Sequence, residues 1–460
     1  MKQDTIAAIA TAPGESGIGI VRLSGPQAIS IAGKLIKLKQ GKKAAALPSY
    51  TIHYGHAVDP KTSKIIDEVI LSVMKAPKTY TREDVAEINC HGGMVSVRRT
   101  LEAAITLGAR LAEPGEFTRR AYLNGRIDLA QAEAVVDIIK AKTSDSLSAA
   151  VNQLKGRLSG ELKEIAESIK SAAVEVEANI EFPEEGLEAA GLKVTARALS
   201  SARERLKELL ATAGAGKILR EGVKTSIVGR PNAGKSSLLN ELLEEERAIV
   251  THLPGTTRDI IEEGINLEGM PFVLSDTAGI RESSNLIEKK GIQRTFNSIE
   301  SADAVILMLD GSEKLNKDDR EAAKRARGKK ALIVINKSDL KQKLEEREVE
   351  KLLPGVKIIN ISALKAKGIK ELKKALRRLV DERGVRGSEE IIITSLRHKL
   401  LLENAVLSLD NALESIKKGM SEEFIALDIR GALDHLGAIT GRVSSEDIIN
   451  RIFSEFCVGK

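Results

Sequence analysis

Residues Gly229–Ser236 read Gly-Arg-Pro-Asn-Ala-Gly-Lys-Ser and satisfy G-x-x-x-x-G-K-[ST], a pattern that wraps backbone around phosphate groups. The segment follows Val223–Val228, which we predict to be a buried strand, and it precedes Ser237–Leu243, which predicts a helix. Glycines let the backbone curve so that N–H groups and a helix N-terminus face negative charge. We expect Lys235 to reach the β- and γ-phosphates and the Ser236 hydroxyl to bind Mg²⁺. The pattern therefore predicts a nucleoside triphosphate site.

A second motif, further along the chain, selects the base. The continuous apolar run Ala331–Ile335 is typical of a strand buried on both faces, and it ends in Asn336-Lys337-Ser338-Asp339. Asp339 can accept hydrogen bonds from N1–H and the 2-amino group of guanine, whereas adenine would leave a buried acid unpaired. A further predicted strand, Val356–Ile361, ends in Ser362-Ala363-Leu364, where a backbone N–H can meet the guanine oxygen. These motifs in this order predict GTP and resemble GTPases of the translation-factor type.

The segments that would respond to the γ-phosphate lie between these two motifs. A short predicted strand, Pro271–Ser275, leads into Asp276-Thr277-Ala278-Gly279, a D-x-x-G element. We expect Asp276 to hold Mg²⁺ through water and the Gly279 N–H to contact the γ-phosphate. Thr257 is the expected second protein ligand of Mg²⁺.

The residue that orients the attacking water departs from the Ras-like pattern. Those enzymes place a Gln after the D-x-x-G glycine, but this chain has Ile280, which cannot form the required hydrogen bond. Glu282 is the candidate, because its carboxylate could hold the water directly or through a second water; the alternative is a solvated acid of the loop. Arg281 could act as an arginine finger, although a surface charge is the simpler interpretation.

Asn232, inside the phosphate loop, predicts a monovalent cation. Its side-chain carbonyl is a hard oxygen ligand, and a cation there would stabilise the charge that an arginine finger otherwise stabilises. The segment Thr251–Thr256 could curl over the cation and supply backbone carbonyls. The hypothesis is that K⁺ activates hydrolysis, helped by pairing of GTPase domains.

Composition limits the class of protein. The chain has 460 residues, which suggests about three domains, with 42% hydrophobic and 30% charged residues. No run reaches about 18 consecutive apolar residues and the N-terminus lacks a secretory pattern, so we expect a cytoplasmic protein without membrane contact. Two cysteines cannot form a disulfide framework. A net charge of +6 permits nucleic-acid binding without arguing for it strongly.

The domain organisation follows from shifts in periodicity. We predict an α+β domain over residues 1–118, helical segments over 119–216 and 384–460, and a Ras-like α/β GTPase domain over 217–383. The simplest architecture therefore inserts the GTPase domain into a discontinuous helical domain. The predicted elements outside that GTPase domain are strands at Asp4–Ala10, Ile18–Leu23, Tyr50–Val58 and Ile65–Met74, and helices at Ser96–Leu107, Glu389–Ser415 and Glu422–Leu436.

Segments outside the GTPase motifs are also distinctive. They are Asp4–Thr11, Gly19–Gly25, Tyr80–Glu87 before His91-Gly92-Gly93, Pro114–Thr118, Asp128–Ala134 and the final Phe456-Cys457-Val458-Gly459-Lys460. The GTPase motifs alone would suit Era-like or ribosome-assembly GTPases. Together with these segments, the chain resembles from end to end the MnmE (TrmE) family of bacterial tRNA-modification GTPases.

The resemblance implies a specific activity. The family forms homodimers through an N-terminal domain similar to the folate-binding domains of one-carbon enzymes. With the flavoprotein MnmG, in a heterotetramer, it adds an aminomethyl or carboxymethylaminomethyl group at carbon 5 of the wobble uridine of tRNA. A 5,10-methylene- or 5-formyl-tetrahydrofolate is the implied carbon donor.

The resemblance also implies roles for individual residues. Folate contacts carry over to Arg22, Glu87, Arg126 and Lys460, since a carboxylate suits the pterin donors and cations suit the glutamate tail. The implied K⁺ ligands are Asn232, Thr251, Leu253 and Thr256, the Mg²⁺ ligands are Ser236 and Thr257, and the catalytic pair is Lys235 and Glu282. The expected nucleotide contacts are Asn232, Ala233, Gly234, Lys235, Ser236, Ser237, Thr251, His252, Leu253, Pro254, Gly255, Thr256, Thr257, Asp276, Thr277, Ala278, Gly279, Asn336, Lys337, Ser338, Asp339, Ser362, Ala363 and Leu364.

Cys457 and the rival functions stay open at this point. A lone cysteine is most often a small hydrophobic side chain, but the resemblance favours a role for Cys457 in the modification centre. The first rival is a ribosome-assembly or regulatory GTPase without one-carbon chemistry. The two functions differ in whether residues 1–118 bind a reduced folate, which the rival would not require. An ATP-dependent RNA remodeller conflicts with Asp339.

Overall fold

The computed structural model describes residues 4–39, 41, 43–181, 189–247, 262–276, 299–300, 302–380 and 390–460. By its contacts the chain divides into two compact units, each discontinuous in sequence. Unit 1 comprises Met1–Val136, Gln153–Ala173 and Ala426–Lys460, and unit 2 comprises Asp137–Asn152 and Val174–Ile425. The four-segment division drawn from the sequence stays a prediction.

Among the described residues, strands occur between Ile6 and Leu111 and between Val223 and Asn360, together with helices, and the remaining elements are helices. The strands are β1 (Ile6–Ile9), β2 (Ser16–Ser24), β3 (Ile36–Leu38), β4 (Thr51–Val58), β5 (Ile65–Met74), β6 (Val85–Gly92), β7 (Arg110–Leu111), β8 (Val223–Val228), β9 (Glu262–Leu267), β10 (Met270–Asp276), β11 (Ala304–Asp310), β12 (Lys330–Asn336) and β13 (Ile358–Asn360). The helices are α1 (Ala28–Leu35), α2 (Met94–Thr106), α3 (Glu116–Leu123), α4 (Leu129–Lys140), α5 (Ser144–Leu154), α6 (Arg157–Glu181), α7 (Ala189–Ala211), α8 (Ala213–Glu221), α9 (Lys235–Arg247), α10 (Lys317–Ala326), α11 (Glu346–Leu352), α12 (Ile369–Val380), α13 (Leu396–Lys418), α14 (Glu422–Thr440) and α15 (Glu446–Ser454).

Unit 1 is organised by a mixed sheet. Its described strands run in the order β3-β4-β5-β6-β2-β1-β7, and only β1 and β7 pair in parallel. Side chains alternate between the two faces of a strand. On β2 this alternation buries Val21 and Leu23 in the core that packs against α1 and α2, and it turns Arg22 to the opposite face. The sheet thus presents one apolar face to helices and leaves charged side chains on the other.

The C-terminal residues close onto the sheet of unit 1. Phe453 and Phe456 are buried with Leu129 of α4 in a small apolar cluster. Beyond this cluster, Val458 forms an antiparallel bridge with Pro114. Gly459 has a φ of +95°, and a Cβ there would stand 2.2 Å from the Ile9 carbonyl oxygen, so only glycine permits this close approach. The approach brings the last residue, Lys460, beside β2.

Unit 2 contains a doubly wound sheet in the order β13-β12-β11-β8-β10-β9, parallel among its described strands except for β9. Strand β8 lies between β11 and β10, and all of its residues except Lys224 are buried, which agrees with the predicted buried strand. The described helices α9, α10, α11 and α12 accompany the strands, and α7, α8 and α13 form the helical part. The predicted fold class, an α+β domain, helices and a Ras-like α/β domain, is confirmed.

One predicted helix begins later than its sequence suggested. The helix expected from Glu389 begins at Leu396, and residues 391–395 carry no regular structure. The Ile393 carbonyl lies so close to Gly216 of α8 that a Cβ would stand 2.0 Å from it, and the Ile393 N–H donates to Thr212 Oγ1 at 3.0 Å. These contacts hold the segment extended against α8, and they outweigh its helical periodicity.

Candidate nucleotide site and a second charged site

The phosphate loop of unit 2 has the backbone that its glycines predicted. Gly229 and Gly234 adopt φ values of +154° and +98°, and Asn232 adopts +62°. A Cβ on Gly229 would stand 2.2 Å from the Met308 carbonyl oxygen, and one on Gly234 would stand 2.2 Å from Asn336 Nδ2. The loop therefore curves tightly between β8 and α9, and its cradle suits phosphate groups and the Mg²⁺ that accompanies them.

Lys235 lies at the centre of this cradle. Its buried Nζ donates to the carbonyl oxygens of Gly229 and Arg230, each at 2.8 Å. These bonds hold the ammonium inside the loop, where phosphate oxygens would exchange with the carbonyls. Ser236 follows in the first turn of α9 and is exposed, as a metal-binding hydroxyl requires.

Asn336 joins the phosphate loop to the two segments that were predicted to recognise the base. Its Nδ2 donates to the Ala233 carbonyl at 2.9 Å, and its Oδ1 accepts from the Ala363 N–H at 3.0 Å. The Ser338 N–H donates to the Ile361 carbonyl at 3.0 Å. The structure thus brings together the three sequence motifs that were predicted to bind phosphate and guanine.

Asp339 is prepared to accept hydrogen bonds. Its Oδ1 accepts from Ser362 Oγ at 2.7 Å, and Lys365 Nζ lies 4.0 Å from its Oδ2. The hydrogen bond from Ser362 is the main reason that the pKa of Asp339 lies below its usual range. The carboxylate is therefore charged at neutral pH. Leu364, at the end of the same segment, is exposed.

A buried carboxylate next to this site was missed by sequence reasoning. Asp310, the last residue of β11, accepts a hydrogen bond at 2.6 Å from Lys337 Nζ. The signal available in the sequence was an acid directly after the apolar run Ala304–Leu309, at the same sheet edge as Asn336. Parallel strands bring their C-terminal ends together, so such an acid belongs near the ligand.

Several predicted nucleotide and metal contacts lie outside the described residues. They are Thr251, His252, Leu253, Pro254, Gly255, Thr256, Thr257, Thr277, Ala278, Gly279 and Glu282. Asp276 ends β10, and its backbone is in register with Ile227 of β8. Asp276 itself therefore lies at the same edge of the sheet as the phosphate loop, which follows β8.

Unit 1 carries a second group of charged residues on the face of the sheet away from α1 and α2. Arg22 on β2 and Glu87 on β6 are directly opposed in register, and their side chains pair at 2.7 Å between Nε and Oε1. Arg22 also donates to the Gly459 carbonyl at 3.2 Å and lies over the Phe117 ring at 5.7 Å from its centroid. The C-terminal segment thus contacts the Arg22–Glu87 pair.

Lys460 completes this group. Burial lowers the pKa of its ammonium, the neighbouring Arg22 lowers it further, and Glu87 opposes the shift. All three side chains therefore lie within electrostatic reach of one another. Two cations then face one carboxylate, an excess of positive charge that suits an anionic ligand carrying hydrogen-bond donors.

Arg126, the fourth residue of the implied folate set, stacks over the ring of Tyr80 with 4.9 Å between the guanidinium carbon and the ring centroid. The Tyr80 hydroxyl and Thr118 Oγ1 are 2.9 Å apart. Burial raises the pKa of Tyr80, and the charges of Arg126 and Arg22 partly oppose that rise. Arg22 and Arg126 therefore both lie near the Tyr80 phenol.

The backbone of Cys457 lies close to Lys460 of the charged site. Its carbonyl accepts from the Gly115 N–H at 3.4 Å and from the Lys460 N–H at 3.3 Å, and its thiol side is exposed.

Within the described ranges, no three His, Cys, Asp or Glu side chains gather as metal ligands would. Among the helices that the structure describes, none is both long and apolar enough to cross a membrane.

Known proteins match both units. The family model "GTP-binding protein TrmE N-terminus" matches residues 5–126, and the model "MnmE helical domain" matches residues 129–457. Two curated proteins named "tRNA modification GTPase MnmE", from Alkaliphilus oremlandii and Thermoanaerobacter pseudethanolicus, are 47% and 48% identical to this chain. Each alignment covers 99% of this chain and 99% of the relative.

Solved structures of other GTPases match only a part of the chain. Era of Aquifex aeolicus is 28% identical, with 40% of this chain and 66% of that chain covered and a TM-score of 0.28. The FeoB G-domain of Methanococcus jannaschii is 25% identical, with 35% and 98% covered and a TM-score of 0.26. Such scores are too low to support an argument about function. The full-length identity and the two family models are sufficient: this chain belongs to the MnmE family of tRNA modification GTPases.

Proposed function

We propose that this chain hydrolyses GTP in unit 2 and binds a reduced folate in unit 1, and that both sites serve one tRNA modification. With the flavoprotein MnmG, in a heterotetramer in the cytoplasm, it would add an aminomethyl or carboxymethylaminomethyl group at carbon 5 of the wobble uridine. The observation that carries the folate part is the meeting of Arg22, Glu87 and Lys460 from three distant parts of the sequence.

The proposed folate site follows from complementary chemistry. Glu87 would accept hydrogen bonds from the pterin N–H groups, and Lys460 and Arg126 would pair with the carboxylates of the glutamate tail. Arg22 would hold Glu87 in place and add positive charge. When bound, 5,10-methylene- or 5-formyl-tetrahydrofolate would supply the one-carbon unit, which is the role proposed for it here.

The proposed GTP chemistry rests on positioning. Asn336 keeps the phosphate loop against the base segment, Asp339 reads the guanine edge, and Lys235 supplies charge to the β- and γ-phosphates. Ser236 and Thr257 would hold Mg²⁺, which, when bound, neutralises the phosphates. Glu282 is proposed to hold the attacking water.

The proposed K⁺ site is centred on Asn232. The positive φ of Asn232 turns it to the exposed side of the phosphate loop, where its side-chain carbonyl is accessible to an ion. Thr251, Leu253 and Thr256 would complete the ligand set when two GTPase domains pair. We expect an Asn232→Gly variant, which keeps the backbone conformation and removes the carbonyl, to hydrolyse GTP at equal rates in K⁺ and Na⁺ at fixed ionic strength. A wild-type protein indifferent to the two ions would refute the K⁺ site.

The proposed homodimer would bury the open face of the unit 1 sheet. Ile52, Tyr54 and Ile70 are exposed there, with 71%, 43% and 46% of their surfaces accessible. Ile52 is in register with Ser72, and Ser72 with Glu87, so these side chains continue the row that contains the Arg22–Glu87 pair. Because the apolar surface borders the charged site, we propose a second copy of this chain as its occupant.

Cys457 is proposed to act in the modification centre, because its backbone contacts Lys460 and its thiol is exposed. A Cys457→Ser variant should therefore hydrolyse GTP normally and fail to support tRNA modification in cells. A variant that kept full modification would show that the thiol has no such role.

The folate site is tested by titration of the purified full chain with 5-formyl-tetrahydrofolate. We expect Glu87→Gln to weaken binding at least about tenfold, because a hydrogen bond to a charged acceptor is lost. Glu102→Gln is the matched control, since Glu102 lies on α2, on the other side of the sheet, and forms an exposed pair with Arg98 at 3.5 Å. Equal affinities of the two variants would refute the site. A wild-type chain that binds no reduced folate would favour the rival, an Era-like GTPase without one-carbon chemistry.

A further inference from the structure

A buried ion network lies beneath the nucleotide site, and its centre is Asp310. This side chain is 3% exposed at the end of β11, and its Oδ2 accepts from Lys337 Nζ at 2.6 Å. Its Oδ1 accepts from the Ser312 N–H at 2.9 Å and from Ser312 Oγ at 2.6 Å. The carboxylate is thus fixed in one orientation by bonds to both of its oxygens.

The same carboxylate faces the phosphate loop. Arg230, the second residue of that loop, is 8% exposed, and its guanidinium lies 3.6 Å from Asp310 Oδ2. Glu313 at 2.9 Å and Asp319 at 3.9 Å are the other acids around Arg230. A buried charge is tolerated only when it is paired. Asp310 therefore has one cationic partner on the phosphate loop and another on the base-recognition segment.

Lys337 needs such a partner, because its backbone is in an unfavourable conformation. Its φ is +62°, in the left-handed region that side chains other than glycine rarely adopt. Lys337 is also the residue between Asn336, which contacts the phosphate loop, and Ser338-Asp339, which carries the base-reading carboxylate. The Lys337 carbonyl also accepts from Gln342 Nε2 at 2.9 Å, and the ion pair with Asp310 adds a restraint on the side chain of this strained residue, which lies two positions before Asp339.

We propose that Asp310 is a positioning residue for guanine specificity, which acts by fixing Lys337 and thereby the Asp339 carboxylate, and which ties that segment to Arg230 of the phosphate loop. Asp310 touches neither base nor phosphate in this account. Burial alone would raise the pKa of Asp310, but the hydrogen bonds from Lys337 and Ser312 outweigh it, so the carboxylate stays charged at neutral pH.

The test compares GTP with inosine triphosphate, which lacks the 2-amino group that Asp339 accepts. We expect Asp310→Asn to lower the ratio of the affinity for GTP to the affinity for inosine triphosphate about tenfold. It should also raise KM for GTP more than it lowers kcat. A ratio measured on one protein sample does not depend on the fraction that is folded. If the Asn variant yields no folded protein, Asp310→Ser provides the same ratio.

Two controls and one background separate positioning from a merely structural role. Glu313→Gln removes a contact to Arg230 but none to Lys337, and Ser312→Ala loosens the turn but leaves the lysine paired. Both should keep the wild-type nucleotide ratio. In a Lys337→Met background, Asp310→Asn should lower the ratio no further. An unchanged ratio in Asp310→Asn, or a full effect in the Lys337→Met background, would overturn the proposal.

Discussion

The nucleotide site of unit 2 and the charged site of unit 1 are built in different ways. The first depends on contiguous motifs and on backbone atoms, such as the turns at Gly229 and Gly234 and the carbonyl of Ala233. The second depends on side chains at positions 22, 87, 126 and 460, which are brought together by strand pairing and by the C-terminal segment.

The difference decides how each site fails. A backbone cradle tolerates most side-chain changes but not an added Cβ where the chain approaches itself closely. A site made of a few charged side chains depends less on the backbone around it, but it binds its ligand poorly when one of the charges is removed. Substitutions chosen by these rules should affect one site and spare the other.

The largest expected effect comes from Asp339→Asn. The amide can donate to the extra oxygen of xanthine but cannot accept from both guanine donors. GTP affinity should therefore fall roughly a hundredfold, and the variant should gain affinity for xanthosine triphosphate. Folate binding by the same protein should be unchanged. Competitive displacement of a fluorescent nucleotide measures the first effect. A variant that retains GTP selectivity would break the assignment of Asp339.

An intermediate effect is expected from Gly234→Ala. The new Cβ would stand 2.2 Å from Asn336 Nδ2 at a φ of +98°, so the phosphate loop must shift at a cost of about 1–3 kcal/mol. GTP affinity should fall by one to two orders of magnitude, measured by calorimetry.

Gly214→Ala is the matched control for that change. Gly214 lies in α8 and a Cβ there would meet nothing within 4 Å, so alanine should stabilise the helix by up to about 1 kcal/mol. Its GTP affinity should equal that of the wild type. Equal losses in the two variants would show that the cradle geometry does not determine affinity.

The smallest expected effect is a pH dependence of the unit 1 site. Because burial and Arg22 lower the pKa of Lys460, its ammonium loses the proton at a lower pH than an ordinary lysine does. Folate affinity should therefore decline as pH rises toward that lowered pKa, by a few-fold for one partly exposed ion pair. Fluorescence titration across alkaline pH measures the decline.

Lys460→Met should bind more weakly than the wild type and should lose this pH dependence. Lys61→Met, a change at an exposed turn between β4 and β5, should keep the wild-type profile. A pH profile that Lys460→Met leaves unaltered would assign the titration to another group.

Much of the nucleotide site could be predicted because its information is local. The segment Val223–Val228 was predicted as a strand with the bounds that the structure has, since glycine follows it directly and ends the strand. The order of the motifs along parallel strands then places Asn336 and Ala363 at one edge.

The remaining features depend on register and packing, which the sequence does not display. The Asp310–Lys337 pair joins two strands whose alignment is fixed only by the sheet. The stacking of Arg126 on Tyr80 likewise depends on the packing of loops around α3. For unit 1, family resemblance named residues that spacing alone would have assigned to the surface, because Arg22 and Glu87 are 65 positions apart.

The central claim is that two separate sites serve one modification, and nucleoside mass spectrometry of cellular tRNA tests it most directly. Cells lacking the protein would be compared with cells that express the wild type, Asp339→Asn or Glu87→Gln at equal levels. We predict that wobble uridine modified at carbon 5 is lost in the deletion strain, returns with the wild type, and returns with neither variant. Full modification with Glu87→Gln, or unchanged wobble nucleosides in the deletion strain, would contradict the account.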